Sequence, residues 1–235
     1  MSTTDMHFPA RAGTPSGGTG EGAAPSRVVT DVGTRVLHGL MAISLVGAYL
    51  TAESEWWRLW HLALGYLFVG SVAMRVVFGV LGPRHAHVRQ WSLRASAVWR
   101  WAAQGLQPQA WSWSHWSKAT LMAVYASIVL ALLAVLPLGL SGVVIHLEWG
   151  PWFWVDAMGE LHEAVGELSL ALVLGHIAAV LVHGWMQRTP HWQRMFSGRV
   201  PQRGPDVRGG LWWAVLTVAL SVGFLFQVFS GRWPL

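Results

Sequence analysis

The chain has 235 residues, of which 53% are hydrophobic and 11% are charged, and its mean hydropathy is +0.40. Soluble domains carry about 25% charged residues, so this composition predicts a membrane protein. The absence of cysteine excludes disulfides, iron–sulfur clusters, covalently attached c-type haem and thiolate metal sites. The net charge of +5 does not predict nucleic-acid binding, because the basic residues of so apolar a chain lie in loops, where they set membrane topology.

Residues 1–28 are rich in Gly, Pro, Ser and Thr and contain no apolar run, which predicts a disordered tail and not a signal peptide. Five apolar segments follow, each long enough to cross a hydrocarbon layer of about 30 Å. They run from Val32 to Leu50, Trp60 to Leu81, Ala119 to Leu140, Ala157 to Met186 and Leu211 to Phe229. Residues 82–117 contain Trp and Arg residues suited to a surface helix on an anionic leaflet.

Lys and Arg residues concentrate on one side of these segments. They precede the first segment, separate the second from the third, and follow the fourth: Arg11, Arg27, Arg35, Arg84, Arg89, Arg94, Arg100, Lys118, Arg188, Arg194, Arg199, Arg203 and Arg208. The opposite side has only Arg58 and Arg232, accompanied by carboxylates. The positive-inside rule therefore predicts a cytoplasmic N-terminus and a C-terminus on the outer side. Tryptophans beside the segments, such as Trp56, Trp57 and Trp152, are typical of an interfacial aromatic belt.

Four histidines lie within the apolar segments, where an ionisable side chain is costly and is a functional-site hypothesis by default. His38 lies in the first segment, His61 in the second, and His162 and His176 in the fourth. His162 and His176 are 14 residues apart, so they share one helix face and are separated by about 21 Å along the axis. Two cofactors stacked against one helix would have this spacing.

The expected depth of each histidine in the membrane predicts which of them lie opposite each other. The second segment enters from the outside, so His61 is level with His162, whereas the first enters from the inside, so His38 approaches the level of His176. Imidazole is the plentiful metal ligand in this chain. The sequence therefore predicts two six-coordinate haems, each held by one pair of histidines in a transmembrane bundle.

Small and basic residues support the same interpretation. Gly65 and Gly166 each follow a histidine by four residues, and Gly39 and Gly175 adjoin the other two, which leaves room for a flat macrocycle. Arg75 lies 14 residues beyond His61 and is expected, with Arg35, to pair with haem propionates.

Other interpretations of these residues remain open. A buried histidine can be a hydrogen-bonded structural residue, glycines can serve close helix packing, and Arg75 can be an anchor at the inner interface. His146 and His183 are rival ligands, and His115 is a candidate neighbour of the inner haem.

The residues that carry this argument resemble the bacterial cytochrome b561 family, which is related to the b-type cytochrome subunits of nickel–iron hydrogenases. The resemblance covers roughly residues 28–200. It rests on Arg35 to His38 opening the first helix, on His61 with Gly65 and Arg75 in the second, and on Leu161-His162-Glu163 with His176 in the fourth.

The resemblance implies a dihaem cytochrome over residues 29–200, a four-helix haem-binding bundle in the bacterial inner membrane. Residues 201–235 lie outside the shared core and are predicted to form a linker and a fifth C-terminal transmembrane helix. It further implies electron transfer between quinone and a periplasmic redox partner such as a cytochrome c. The expected partners also include membrane lipid, and a homo-oligomer is possible. Three alternatives remain: a quinone-linked oxidoreductase acting directly on a small species such as superoxide, a histidine-based metal or proton transporter, and a structural anchor for a redox complex.

Overall fold

The structure, a computed structural model, describes residues 26–83, 87, 89–103, 112–189, 191–201, 204–207 and 209–232. Most of the predicted tail lies outside the described residues, as do Arg84, Arg203 and Arg208 of the topology argument. The helices are α1 (Val32–Leu50), α2 (Arg58–Leu81), α3 (Arg89–Ala103), α4 (Trp113–His146), α5 (Trp152–Met186), α6 (Gln193–Phe196) and α7 (Leu211–Phe229). A 3₁₀ turn at Glu55–Trp57 precedes α2, and the two-residue strands β1 (Arg27–Val28) and β2 (Arg199–Val200) pair antiparallel.

Five of these helices, α1, α2, α4, α5 and α7, are long and apolar enough to cross a membrane. They correspond to the five predicted apolar segments, so the prediction of an all-α membrane protein is confirmed. The predicted surface helix between the second and third segments is α3.

Two helices extend beyond their predicted ends. The hydroxyl of Ser112 accepts a hydrogen bond from the His115 backbone N–H and caps α4 before its apolar run begins. The helix also continues past Pro137 to His146, because losing one backbone N–H does not end a helix that is packed along its length. In the same way α5 begins after Pro151, ahead of the predicted Ala157. Hydropathy marks the apolar part of a helix, and both helices also have polar or aromatic ends.

The packing leaves a cleft in the bundle. α1 packs along α2 and α4 packs along α5, whereas these two pairs touch each other only sparsely. The main direct contact between the pairs is a small core of Phe68 and Val72 on α2 against Val135 and Leu138 on α4. The sparsely contacted interface between the two pairs is called the cleft below, and helix bundles commonly bind cofactors between facing helices of this kind.

The fifth transmembrane helix packs against α1 and α2. Trp213 lies 5.3 Å from Phe78 at one end of α7, and Phe229 lies 4.4 Å from Trp60 at the other, measured between ring centroids. Leu37 and Phe78 are fully buried beneath this contact. α7 therefore covers the outside of the α1–α2 pair and leaves the cleft to the other four helices.

The segment before α1 is tied to the segment after α5. Residues 27 and 28, which the sequence analysis placed in the tail, pair with residues 199 and 200 in the two-stranded sheet. The backbone N–H of Val28 also donates to Asp206, and that of Val29 donates to the Gly198 carbonyl. These bonds close the end of the bundle that contains His38.

Candidate haem-binding site

His61 and His162 face each other across the cleft. Their ring centroids are 6.1 Å apart and the ring planes are inclined by 79°. Two imidazoles on one six-coordinate iron need about this separation, since each metal–nitrogen bond takes about 2 Å and each ring centre lies about 1 Å beyond its nitrogen. The structure thus brings together the first predicted pair at a spacing suited to a metal between them.

The orientation of both rings is fixed by backbone carbonyls. Nδ1 of His61 lies 2.8 Å from the Ala48 carbonyl oxygen on α1, and Nδ1 of His162 lies 3.0 Å from that of Leu138 on α4. A carbonyl can only accept, so each Nδ1 carries the proton and donates it. The opposite nitrogen, Nε2, is then unprotonated, which is the form of histidine that binds a metal.

The second pair, His38 and His176, lies toward the other end of the bundle. Nδ1 of His176 is 3.1 Å from the hydroxyl of Ser127, which itself donates to the Val124 carbonyl at 2.9 Å. The serine oxygen therefore accepts from Nδ1, and Nε2 of His176 is again the free nitrogen. His38 lies on α1, which contacts α5 directly. Each predicted pair therefore consists of one histidine from the α1–α2 pair and one from α5.

Three histidines of α5 meet hydroxyl groups of α4 in one antiparallel register. His162 meets Ser141 at 3.2 Å, His176 meets Ser127 at 3.1 Å, and His183 meets Thr120 at 3.0 Å. The three partners were missed by the sequence analysis, although a signal was present. Ser127 and Ser141 have the same 14-residue spacing as His162 and His176, as two antiparallel helices in steady contact require.

Glycines beside the histidines have open space where a side chain would be. A Cβ atom built on Gly65 or Gly166 meets no atom within 4 Å, and the same holds for Gly39 and Gly175. Gly142 differs, since a Cβ there would lie 3.0 Å from Cε1 of His162. The absence of a side chain at Gly142 lets the edge of the His162 ring approach α4, and the open space at the other four glycines is compatible with a bound macrocycle.

The two arginines predicted to hold propionates have partners within the protein. One guanidinium nitrogen of Arg35 donates to the Phe196 carbonyl at 2.9 Å, while its Nε is buried and makes no hydrogen bond in the described part of the chain. The guanidinium of Arg75 lies 4.8 Å from the ring centre of Trp91 on α3 and 5.6 Å from that of Phe78. The cation–π contact between Arg75 and Trp91 links the surface helix α3 to α2. Their role toward propionates stays a prediction.

The rival histidines belong to neither of the two pairs. His183 stacks on His191 with ring centroids 4.9 Å apart and planes inclined by 23°, a parallel arrangement that does not point two nitrogens at one metal. His146 is the last residue of α4, and His115 lies in the first turn of that helix. Within the described ranges, no group of three or more His, Asp or Glu side chains is arranged around a single ion.

The stack of His183 on His191 is expected to weaken in acid. Burial, together with the charges of Arg194 and His183, lowers the pKa of His191 from its ordinary value of 6.5. At pH values between 6.5 and the lowered pKa, the unfolded segment binds a proton that the folded turn does not. The folded turn therefore loses stability as the pH falls through this range. Hydrogen–deuterium exchange of residues 187–196, corrected for intrinsic rates, should increase between about pH 8 and about pH 5.

The matched variant for this prediction is His191→Phe, which keeps an aromatic ring on His183 but cannot titrate at position 191. Its exchange in this segment should depend less on pH. The same acid-induced increase in the variant would contradict the assignment to His191.

Comparison with protein-family models matches residues 29–198 to the family described as prokaryotic cytochrome b561. The matched range includes α1 to α6 and all four paired histidines, and it ends before α7. No curated protein and no solved structure matches the chain. The chain therefore belongs to the prokaryotic cytochrome b561 family and is a b-type cytochrome of a multi-pass membrane electron-transfer system.

Proposed function

We propose that this protein holds two haem b groups, one between His61 and His162 and one between His38 and His176, and that electrons pass between them across the bacterial inner membrane. The main support for the proposal is that the His61 and His162 rings are 6.1 Å apart and that Nδ1 of each ring is hydrogen-bonded to a backbone carbonyl. The 14-residue spacing along α5 separates the two sites by about 21 Å. Bis-histidine ligation leaves no open iron position, which favours electron transfer over binding of dioxygen.

The direction of insertion follows from the basic residues. Arg89, Arg94 and Arg100 of α3 and Arg194 and Arg199 after α5 belong to the connections at the His38 end of the bundle. By the positive-inside rule this end is cytoplasmic, so the His61–His162 site is on the periplasmic side. The N-terminus is then cytoplasmic and the C-terminus periplasmic.

The substrates proposed for this path are quinone or quinol in the lipid and a periplasmic redox protein such as a cytochrome c. The outer end of α5 exposes Glu160 and Glu163 near His162, and Trp152 and Phe153 are also exposed there. Carboxylates beside aromatic side chains suit the docking of a basic, haem-carrying partner.

A count of haem per chain tests the proposal. Purified protein should show a b-type reduced-minus-oxidised spectrum, and the pyridine haemochrome assay should give two non-covalent haems per chain. A histidine-based transporter predicts no Soret absorption, and a structural anchor predicts that assembly survives loss of the histidines. A chain that stays colourless after expression with added haem would overturn the proposal.

A further inference from the structure

One buried imidazole nitrogen is left without a partner. Nδ1 of His146, at the end of α4, is buried and makes no hydrogen bond to any described residue. His162, His176 and His183 each use the same atom to bind a carbonyl or a hydroxyl. Buried polar groups are nearly always satisfied, so an exception of this kind indicates a partner that is not part of the chain.

The neighbour of His146 is the phenol ring of Tyr66. The two ring centroids are 5.9 Å apart and the planes are inclined by 77°. The Tyr66 hydroxyl makes no hydrogen bond to the part of the chain that the structure describes. A phenol hydroxyl and an imidazole nitrogen, neither of which has a hydrogen-bond partner among the described residues, therefore lie side by side between α2 and α4.

Helix packing places this pair next to the His61–His162 site. α2 and α4 are in close contact at Val69 and Gly139, where a Cβ on the glycine would lie 3.1 Å from the valine side chain. Beyond this contact, toward the C-terminal end of α4, lie Gly142, which touches His162, and then His146 one turn further on. The pair therefore lies about one helical turn beyond a residue that contacts a proposed haem ligand, between two membrane-spanning helices.

We propose that Tyr66 and His146 bind the polar ring of a quinol that enters from the lipid between α2 and α4. A quinol hydroxyl donates to the unprotonated nitrogen of His146, and the Tyr66 hydroxyl bonds to the same ring. A flat aromatic molecule with polar oxygens satisfies both groups, and its apolar tail remains in the bilayer. The inference rests on the proposed function, since it names where the quinone substrate meets the electron-transfer path.

Photolabelling and kinetics test the site separately. Protein in lipid nanodiscs is treated with a short-chain azidoquinone, and labelled peptides are mapped by mass spectrometry, which needs no haem. Reduction of the haems by decyl-quinol is followed by stopped-flow absorbance. Tyr66→Phe and His146→Leu should lose the label on α2 and α4, and should raise the quinol KM about tenfold, as expected for one lost hydrogen bond.

Matched controls are Tyr125→Phe, which alters a phenol that lies beneath Arg94, and His183→Ala. Both should keep the label and the KM of the unaltered protein, and all four variants should keep their haem content. Label on other peptides, or an unchanged KM in both test variants, overturns the site. If His146→Leu shifts the haem potential and leaves the quinol KM unchanged, the site is also overturned, because His146 would then bind a haem propionate. A colourless protein that still loses its label in the test variants would overturn the haem proposal alone.

Discussion

His162→Ala is expected to yield a protein with one haem per chain in place of two, in which the His38–His176 haem is retained. Losing an axial ligand should weaken haem binding by more than the roughly 10- to 100-fold that loss of a supporting hydrogen bond costs. The ring of His162 also contacts both Leu138 on α4 and His61 on α2. The pyridine haemochrome count, together with a potentiometric titration of the remaining haem, measures the result.

His183→Ala is the matched control for this variant. It removes an imidazole from the same helix and the same register, bonded to Thr120 as His162 is to Ser141, but it faces no opposing ligand. Both haems should survive. His61→Ala should remove the same haem as His162→Ala, whereas His38→Ala should remove the other. Loss of the same haem from His38→Ala and His61→Ala would contradict the pairing.

Gly166→Leu is expected to block the His61–His162 site while both ligands stay in place. The space beside Gly166 is open in the protein alone, and the haem is proposed to fill it. Forcing a large side chain into a filled site costs about 1–3 kcal/mol, which corresponds to a loss of roughly 5- to 150-fold in haem affinity. Haem titration of the apoprotein, followed at the Soret band, gives the affinity directly.

Gly223→Leu is the control, because a Cβ at Gly223 also meets nothing within 4 Å but the residue lies on α7, outside the cleft. Both glycines are helical and both changes add the same side chain, so differences in helix propensity cancel. Equal haem affinity in the two variants would show that the open space at Gly166 faces lipid and not a macrocycle.

The relative positions of the four paired histidines were accessible to sequence reasoning because they follow simple geometric rules. His162 and His176 lie on one helix, so their relative position follows from 3.6 residues per turn. The partner of each follows from the depth at which an antiparallel helix crosses the membrane. The structure places the rings of His61 and His162 6.1 Å apart, a distance that fits this pairing. The pairing of His38 with His176 stays a prediction.

Contacts between helices were harder to predict from the sequence, as Arg75 and Arg35 illustrate. The sequence placed Arg75 on the His61 face at the level of the inner haem, but its neighbours are Trp91 on α3 and Phe78 on α2. α3 is separated from α2 by a connection whose path hydropathy does not describe. Arg35 likewise meets the carbonyl of Phe196, 161 residues further along the chain.

The sequence by itself determined the membrane location, the number of long apolar helices and the spacing of the histidines, because composition and helical periodicity are local properties. Only the tertiary structure decided which nitrogen of each imidazole is free, because that depends on carbonyls and hydroxyls contributed by another helix. It also decided that α7 packs on α1 and α2, and that His146 lies beside Tyr66 without a hydrogen bond for its Nδ1 among the described residues. Such facts depend on side-chain packing between segments distant in sequence, for which no pattern within one helix is sufficient.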